Sequence, residues 1–126
     1  MLLDTHAFLW WIADSERLSR KARRSIADET NDIAVSAASA WEIATKHRIG
    51  RLPGGEAVAL DVGGCIAGQG FSELPISVGD AERAGRLPGP HRDPFDRMLA
   101  AQALARGLPI ISIDGVFDRY GLDRLW

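Results

Sequence analysis

The chain is poor in the residues that staple, bridge or anchor a protein. It has one cysteine, Cys65, among 126 residues, so no internal disulfide can form and a reducing compartment is the default expectation. Cys65 lies in DVGGCIAG with no histidine or acid beside it. It lacks the partner base that a nucleophilic thiol needs and reads as a packed or tolerated residue. No CxxC pair and no HExxH motif occur, which removes the usual ligand spacing for zinc. The apolar run AFLWWIA is far short of the roughly 20 residues that cross a bilayer, and no basic stretch precedes it. The expectation is a cytoplasmic protein with no membrane partner. An excess of one charge is missing too: 15 Lys and Arg against 17 Asp and Glu leave a formal net charge of -2. That balance neither demands a nucleic-acid partner nor excludes one, because a local basic patch is enough. No internal repeat, low-complexity tract or linker interrupts the sequence, so one domain over residues 1–126 is expected, with 46% hydrophobic residues to build its core.

What is present is an alternation of short apolar runs and helical patterns. MLLD predicts a buried strand and THAFLWWIA a helix. SERLSRKARRSIAD carries Leu18, Ala22 and Ile26 on one stripe and predicts an amphipathic helix, capped by Ser15 or Ser19. The basic face of that helix, Arg20, Lys21, Arg23 and Arg24, reads as a solvated surface or as a patch for a phosphate backbone. DIAVS predicts a second strand and AASAWEIATKHRIG a helix closed by Gly50. The glycine-rich segment RLPGGEAVALDVGGCIAGQG predicts at most a helix weakened by Gly63 and Gly64. SELPIS predicts a third strand, VGDAERAGRL a short helix, and LPGPHR a loop. DPFDRMLAAQALARG is the clearest helix, with Asp93 as N-cap, Pro94 at the first helical position and Gly107 at the end. LPIISID predicts a final strand and GVFDRYG a last turn or two. Strands that alternate with helices predict a parallel sheet covered on both faces. Its ligand crevice belongs outside the strand carboxyl ends.

Acidic residues fall on that edge. Asp4 follows the first strand and Asp114 the last, while Glu42 sits within SAWEIAT and Asp96 in the first turn of the DPFD helix. Each has a plain explanation alone: Glu42 facing solvent, Asp96 favoured by the helix dipole, and Asp93 a cap. Four acids from four elements that converge would repel one another unless a cation lay between them. Mg2+ or Mn2+ suits an all-oxygen donor set, and a metal held by carboxylates suits phosphodiester hydrolysis.

The blocks LLDTHAFLWW, SAASAWEIATKHRIGRL, HRDPFDRMLAAQA and LPIISIDGVFDRYG strongly resemble the PIN-domain family, and within it the VapC-type ribonuclease toxins of bacterial toxin–antitoxin pairs. The resemblance runs from Met1 to about Gly121. It implies a three-layer α/β/α fold with a central parallel sheet flanked by helices. It also implies a Mg2+- or Mn2+-dependent endoribonuclease, a homodimer, and a cognate antitoxin that blocks the site. Carried over by position, it implies that Asp4, Glu42, Asp96 and Asp114 are the catalytic acids and metal ligands, with Asp93 competing with Asp96 for the third role. Ser112 stands where it would orient water or a ligand. In such a mechanism Asp4 and Asp96 are the main ligands, Glu42 and Asp114 prepare the attacking water, and the products are a 5′-phosphate and a 3′-hydroxyl. Lys46, Arg48, Arg51, Arg92 and Arg97 flank the acidic blocks and are the candidates for contact with RNA phosphates. His6, His47 and His91 have no partner identifiable from sequence. Phe8, Trp11 and Trp41 are read as core residues or as aromatic anchors for the antitoxin.

Other enzyme classes fit less well. A haloacid-dehalogenase-like phosphatase requires a second aspartate where His6 stands, and a phosphorylated receiver requires a late lysine, whereas none follows Lys46. The remaining alternative is a catalytically inactive PIN-like module that binds protein or RNA.

Overall fold

A computed structural model describes residues 1–126. Five short strands form one parallel sheet in the order β3-β2-β1-β4-β5: β1 Leu2–Leu3, β2 Ala34–Ser36, β3 Ser72–Leu74, β4 Ile110–Ile111 and β5 Arg124–Leu125. Central β1 pairs on one side with β2, Leu2 opposite Ala34, and on the other with β4, Leu2 opposite Ile110. Successive side chains of a strand point to opposite faces, so each central strand feeds two cores. Leu3, Val35 and Ile111 join Phe8, Leu18, Ala22, Ile26 and Ile43 on one face. Leu2 and Ile110 join Ala38, Leu99, Ala100, Ala103 and Phe117 on the other. This is the expected three-layer α/β/α architecture.

The helices are α1 Thr5–Ile12, α2 Arg20–Ala27, α3 Ala37–Arg48, α4 Glu56–Leu60, α5 Val62–Gly68, α6 Val78–Arg86 and α7 Pro94–Arg106, with a 3-10 helix at Gly115–Tyr120. Capping explains most of their boundaries. Ser36 ends β2 and caps α3, Asp93 caps α7 ahead of Pro94, and Gly107 ends α7 at φ 63°. Residues 15–18 precede α2 as turns, because Ser19 is the serine whose hydroxyl accepts the Ala22 N–H. The glycine-rich middle forms two short helices, and Asp61 caps the second by accepting the Gly64 N–H. Strand β5 had no apolar run to announce it; LDRLW is too short and too charged to read as a strand, and pairing with β4 creates it.

A buried polar network ties the layers together. Asp80, fully buried, receives Arg106 Nη1 and Nη2 at 2.9 and 3.0 Å and Gln102 Nε2 at 3.2 Å. Gln102 Oε1 in turn accepts from Ser36 Oγ at 2.5 Å. The Arg106 guanidinium holds the Asp80 carboxyl far below the usual carboxylate range. Arg106→Ala removes the bidentate partner and leaves the buried carboxylate with only Arg83 at 3.5 Å, the Ser77 N–H and Gln102, and the expected cost is about 2 kcal/mol in urea unfolding at pH 7. A depressed folded pKa stabilises above the ordinary carboxylate value, so the gap between wild type and variant narrows as the pH falls below about 4.

Candidate active site

The strand order reverses between β1 and β4, and the crevice outside their carboxyl ends is where this topology places ligands. A cleft of about 410 Å³ opens there, lined by Asp4, Thr5, His6, Trp10, Arg17, Glu42, Lys46, Asp93, Asp96, Ile113 and Asp114. All four expected acids and the competing Asp93 therefore face one space.

Asp4 answers the puzzle of an aspartate placed directly after two buried leucines. It is 5% exposed, and its two carboxylate oxygens are held separately. As the N-cap of α1 it accepts the Ala7 N–H at Oδ1, 2.7 Å, and Ser112 Oγ donates to Oδ2. Ser112 also accepts the Asp114 N–H at 2.9 Å, so one hydroxyl links β1 to the loop after β4. Ser112 thus positions Asp4. Burial nevertheless pushes the Asp4 carboxyl up, more than these hydrogen bonds pull it down, and Glu42 adds to the rise.

Glu42 does not face solvent, although Trp41 beside it does. It is 4% exposed, accepts from Thr5 Oγ1 at 2.6 Å, and pairs with Lys46 one turn on. The Thr5 hydroxyl also lies 2.9 Å from Ser39 Oγ. Sequence reading passed over Thr5 and Ser39; the cue was their place one residue after Asp4 and one turn before Glu42. Asp96 accepts from His91 Nε2 across 3.0 Å, which gives His91 the partner the sequence did not reveal. Burial lifts the Asp96 carboxyl to about 6; the His91 hydrogen bond opposes the rise, and repulsion from Asp93 and Glu42 adds to it. Asp93 caps α7 through the N–H groups of Phe95 and Asp96 and lines the cleft as well. Asp114 is exposed at the rim and caps the 3-10 helix through the Val116 N–H.

The donors suit a hard divalent cation, being carboxylate oxygens with lone pairs to spare. No three acid or imidazole groups are drawn together into a closed cluster; the acids ring the cleft instead of meeting at a point.

The basic candidates divide. Lys46 lines the cleft, and so does Arg17, which no motif in the sequence singles out. Arg48, Arg51 and Arg92 are exposed outside it. Arg97 is corrected from a phosphate contact to a structural clamp: its guanidinium donates to the carbonyls of Ala84, Leu87 and His91, so its donors are engaged within the chain. Of the aromatic residues, Phe8 is fully buried and Trp11 packs on Phe71. Trp41 is 59% exposed and stacks edge-on against Phe95.

The sequence pattern of the PIN domain family matches residues 1–122. The chain is 31% identical over 119 residues to ribonuclease VapC22 of Mycobacterium tuberculosis, an alignment that covers 90% of this chain and 86% of that protein. Among solved structures, VapBC2 from Rickettsia felis bound to a promoter DNA fragment superposes with a TM-score of 0.69 at 16% identity, covering 99% of this chain and 98% of that one. VapC20 of Mycobacterium tuberculosis, a toxin that cleaves the sarcin–ricin loop, gives 0.64 at 19% identity, covering 96% and 95%. At such identities the superpositions establish a common fold, and the family match carries the assignment: the chain belongs to the PIN domain family.

Proposed function

We propose that this protein is a Mg2+- or Mn2+-dependent endoribonuclease that hydrolyses RNA phosphodiester bonds. It acts as the toxin of a bacterial toxin–antitoxin pair, works in the cytoplasm as a single-domain homodimer, and is inhibited by a cognate antitoxin. The observation that carries this reading is the ring of Asp4, Glu42, Asp93, Asp96 and Asp114 around one cleft, with Lys46 as the cation paired there to Glu42. Membership of the PIN domain family and likeness to a ribonuclease support it. The superposed proteins include a VapBC pair and a toxin–antitoxin complex, which supports the antitoxin partner.

A bound divalent ion would supply an activated water and charge stabilisation for the phosphoryl oxygens. Asp4 and Asp96 are the residues to hold it, Asp4 fixed by Ser112 and the Ala7 amide and Asp96 by His91. Glu42, anchored by Thr5 and Lys46, would orient or deprotonate the attacking water, with the exposed Asp114 completing the acidic lining. Lys46 and Arg17 offset the repulsion between this acidic cleft and a polyanion. The products are a 5′-phosphate and a 3′-hydroxyl.

Two outcomes are expected. Purified protein free of antitoxin binds Mn2+ in calorimetry and cleaves RNA in a metal-dependent way. Asp4→Asn and Asp96→Asn remain folded, bind the ion more weakly and lose cleavage by at least about 100-fold. RNA retention without cleavage, unchanged by metal, would instead support the binding module. The second outcome concerns stability in chelator. A carboxyl raised to about 6 in the folded state contributes stability below its ordinary pKa of about 4, and that contribution is lost as the pH rises through about 6. Asp96→Asn should therefore be more stable than wild type at pH 7, by on the order of 1 kcal/mol after solvent screening, and lose that advantage below about pH 4. Urea unfolding between pH 4 and 7 checks this, and added Mn2+ should restore the wild type.

A further inference from the structure

The acidic cleft continues into a larger groove of about 670 Å³ between α1 and the segment around α4. Thr5, His6, Trp10, Arg17 and Lys46 line both spaces. The acids stay on one side of this boundary. The cleft holds five acids, whereas the groove is lined by no acidic residue and carries Arg17, Lys46 and Arg51 beside Leu9, Leu52 and Val58. Lys46 is partly neutralised by Glu42, but Arg17 and Arg51 are exposed and form no ion pair.

At the junction stands Trp10. Its indole lies one helical turn from His6, with ring centroids 5.6 Å apart, and rests on Trp126 at 5.8 Å. Packing from two sides pre-orients the ring, yet it still lines both openings. A half-buried indole next to free guanidinium groups is the combination that binds single-stranded nucleic acid, in which bases stack and cations follow the phosphates. A peptide could use the apolar wall and pair its acids with the arginines, but the indole at the junction with the acidic cleft favours a base carried next to a phosphate.

We propose that the groove is a nucleotide subsite for single-stranded RNA: Trp10, supported by His6, stacks on the base next to the scissile phosphate, and Arg17 takes the adjoining phosphate. This rests on the ribonuclease reading and adds to it a means of selecting unpaired RNA. A duplex cannot present a base face to the indole without unstacking.

The test uses metal-free binding, which is independent of cleavage. Fluorescently labelled single-stranded RNA 12-mers of mixed sequence are titrated in EDTA against wild type, Trp10→Phe, Trp10→Leu and Arg17→Ala, with an abasic 12-mer as control. Circular dichroism shows that each variant is folded, and leucine retains the contact with the core. The expected result is tighter binding of the base-containing RNA than of the abasic strand. Trp10→Leu weakens that binding about tenfold and Trp10→Phe only slightly, while the abasic strand does not distinguish Trp10 variants from wild type. Arg17→Ala weakens both strands and lowers the salt dependence. Equal affinity for the two strands, or no effect of Trp10→Leu, overturns the proposal. So does loss of a bound protein partner in Trp10→Leu with RNA affinity intact, which would make the groove a protein-docking surface. Base-dependent binding without metal-dependent cleavage would uphold the subsite and reject the nuclease; cleavage without base-dependent binding would do the reverse.

Discussion

The carboxyl edge of the sheet is organised around how one carboxylate, Asp4, is kept buried. An isolated buried carboxylate costs several kcal/mol, and here the fold offsets that cost with its own donors. The first turn of α1 supplies the Ala7 amide, and β4 supplies the Ser112 hydroxyl. Because Ser112 also receives the Asp114 amide, the central strand, its neighbour and the loop beyond are fixed to a single side chain. The offset is incomplete, and the Asp4 carboxyl remains raised. The fold therefore holds a negative group in place without fully satisfying it, a condition suited to binding a cation.

The same economy recurs around the cleft. Asp4 and Asp114 each cap a helix, and Asp93 caps α7 while standing beside Asp96. A strand that ends at a helix start leaves free N–H groups and a positive dipole end, both of which favour an acid. An acid that follows a strand and starts a helix, as Asp4 and Asp114 do, is pinned by the backbone at the sheet edge. Glu42 departs from this pattern, since it lies in mid-helix and relies on Thr5 and Lys46 for its anchoring.

Away from the cleft, the Asp80–Arg106–Gln102–Ser36 network joins α6, α7 and the end of β2. Its acid is held by a bidentate guanidinium and titrates low; Asp96 has only a single imidazole contact and titrates high. The contrast shows how one chain keeps a structural carboxylate inert and a cleft carboxylate receptive. At Asp96 burial and the neighbouring Asp93 and Glu42 outweigh one imidazole, whereas at Asp80 the guanidinium outweighs burial.

The sequence by itself determined the alternation of elements, the parallel sheet and most caps, because these depend on local signals: apolar runs such as IAV and PII, the Asp93-Pro94 helix start, and Gly107 at a left-handed end. It also determined which acids to suspect, through the order and spacing of the blocks that resemble the PIN family. Only the tertiary structure decided that Glu42 turns inward while Trp41 turns out, since on an isolated helix the two orientations look alike. The tertiary structure likewise decided that Arg97 clamps carbonyls, that Arg17 reaches the cleft and that Arg124–Leu125 forms a strand. Each of those outcomes is set by a partner many residues away, and a partner brought close by folding leaves no trace in the local pattern of a chain.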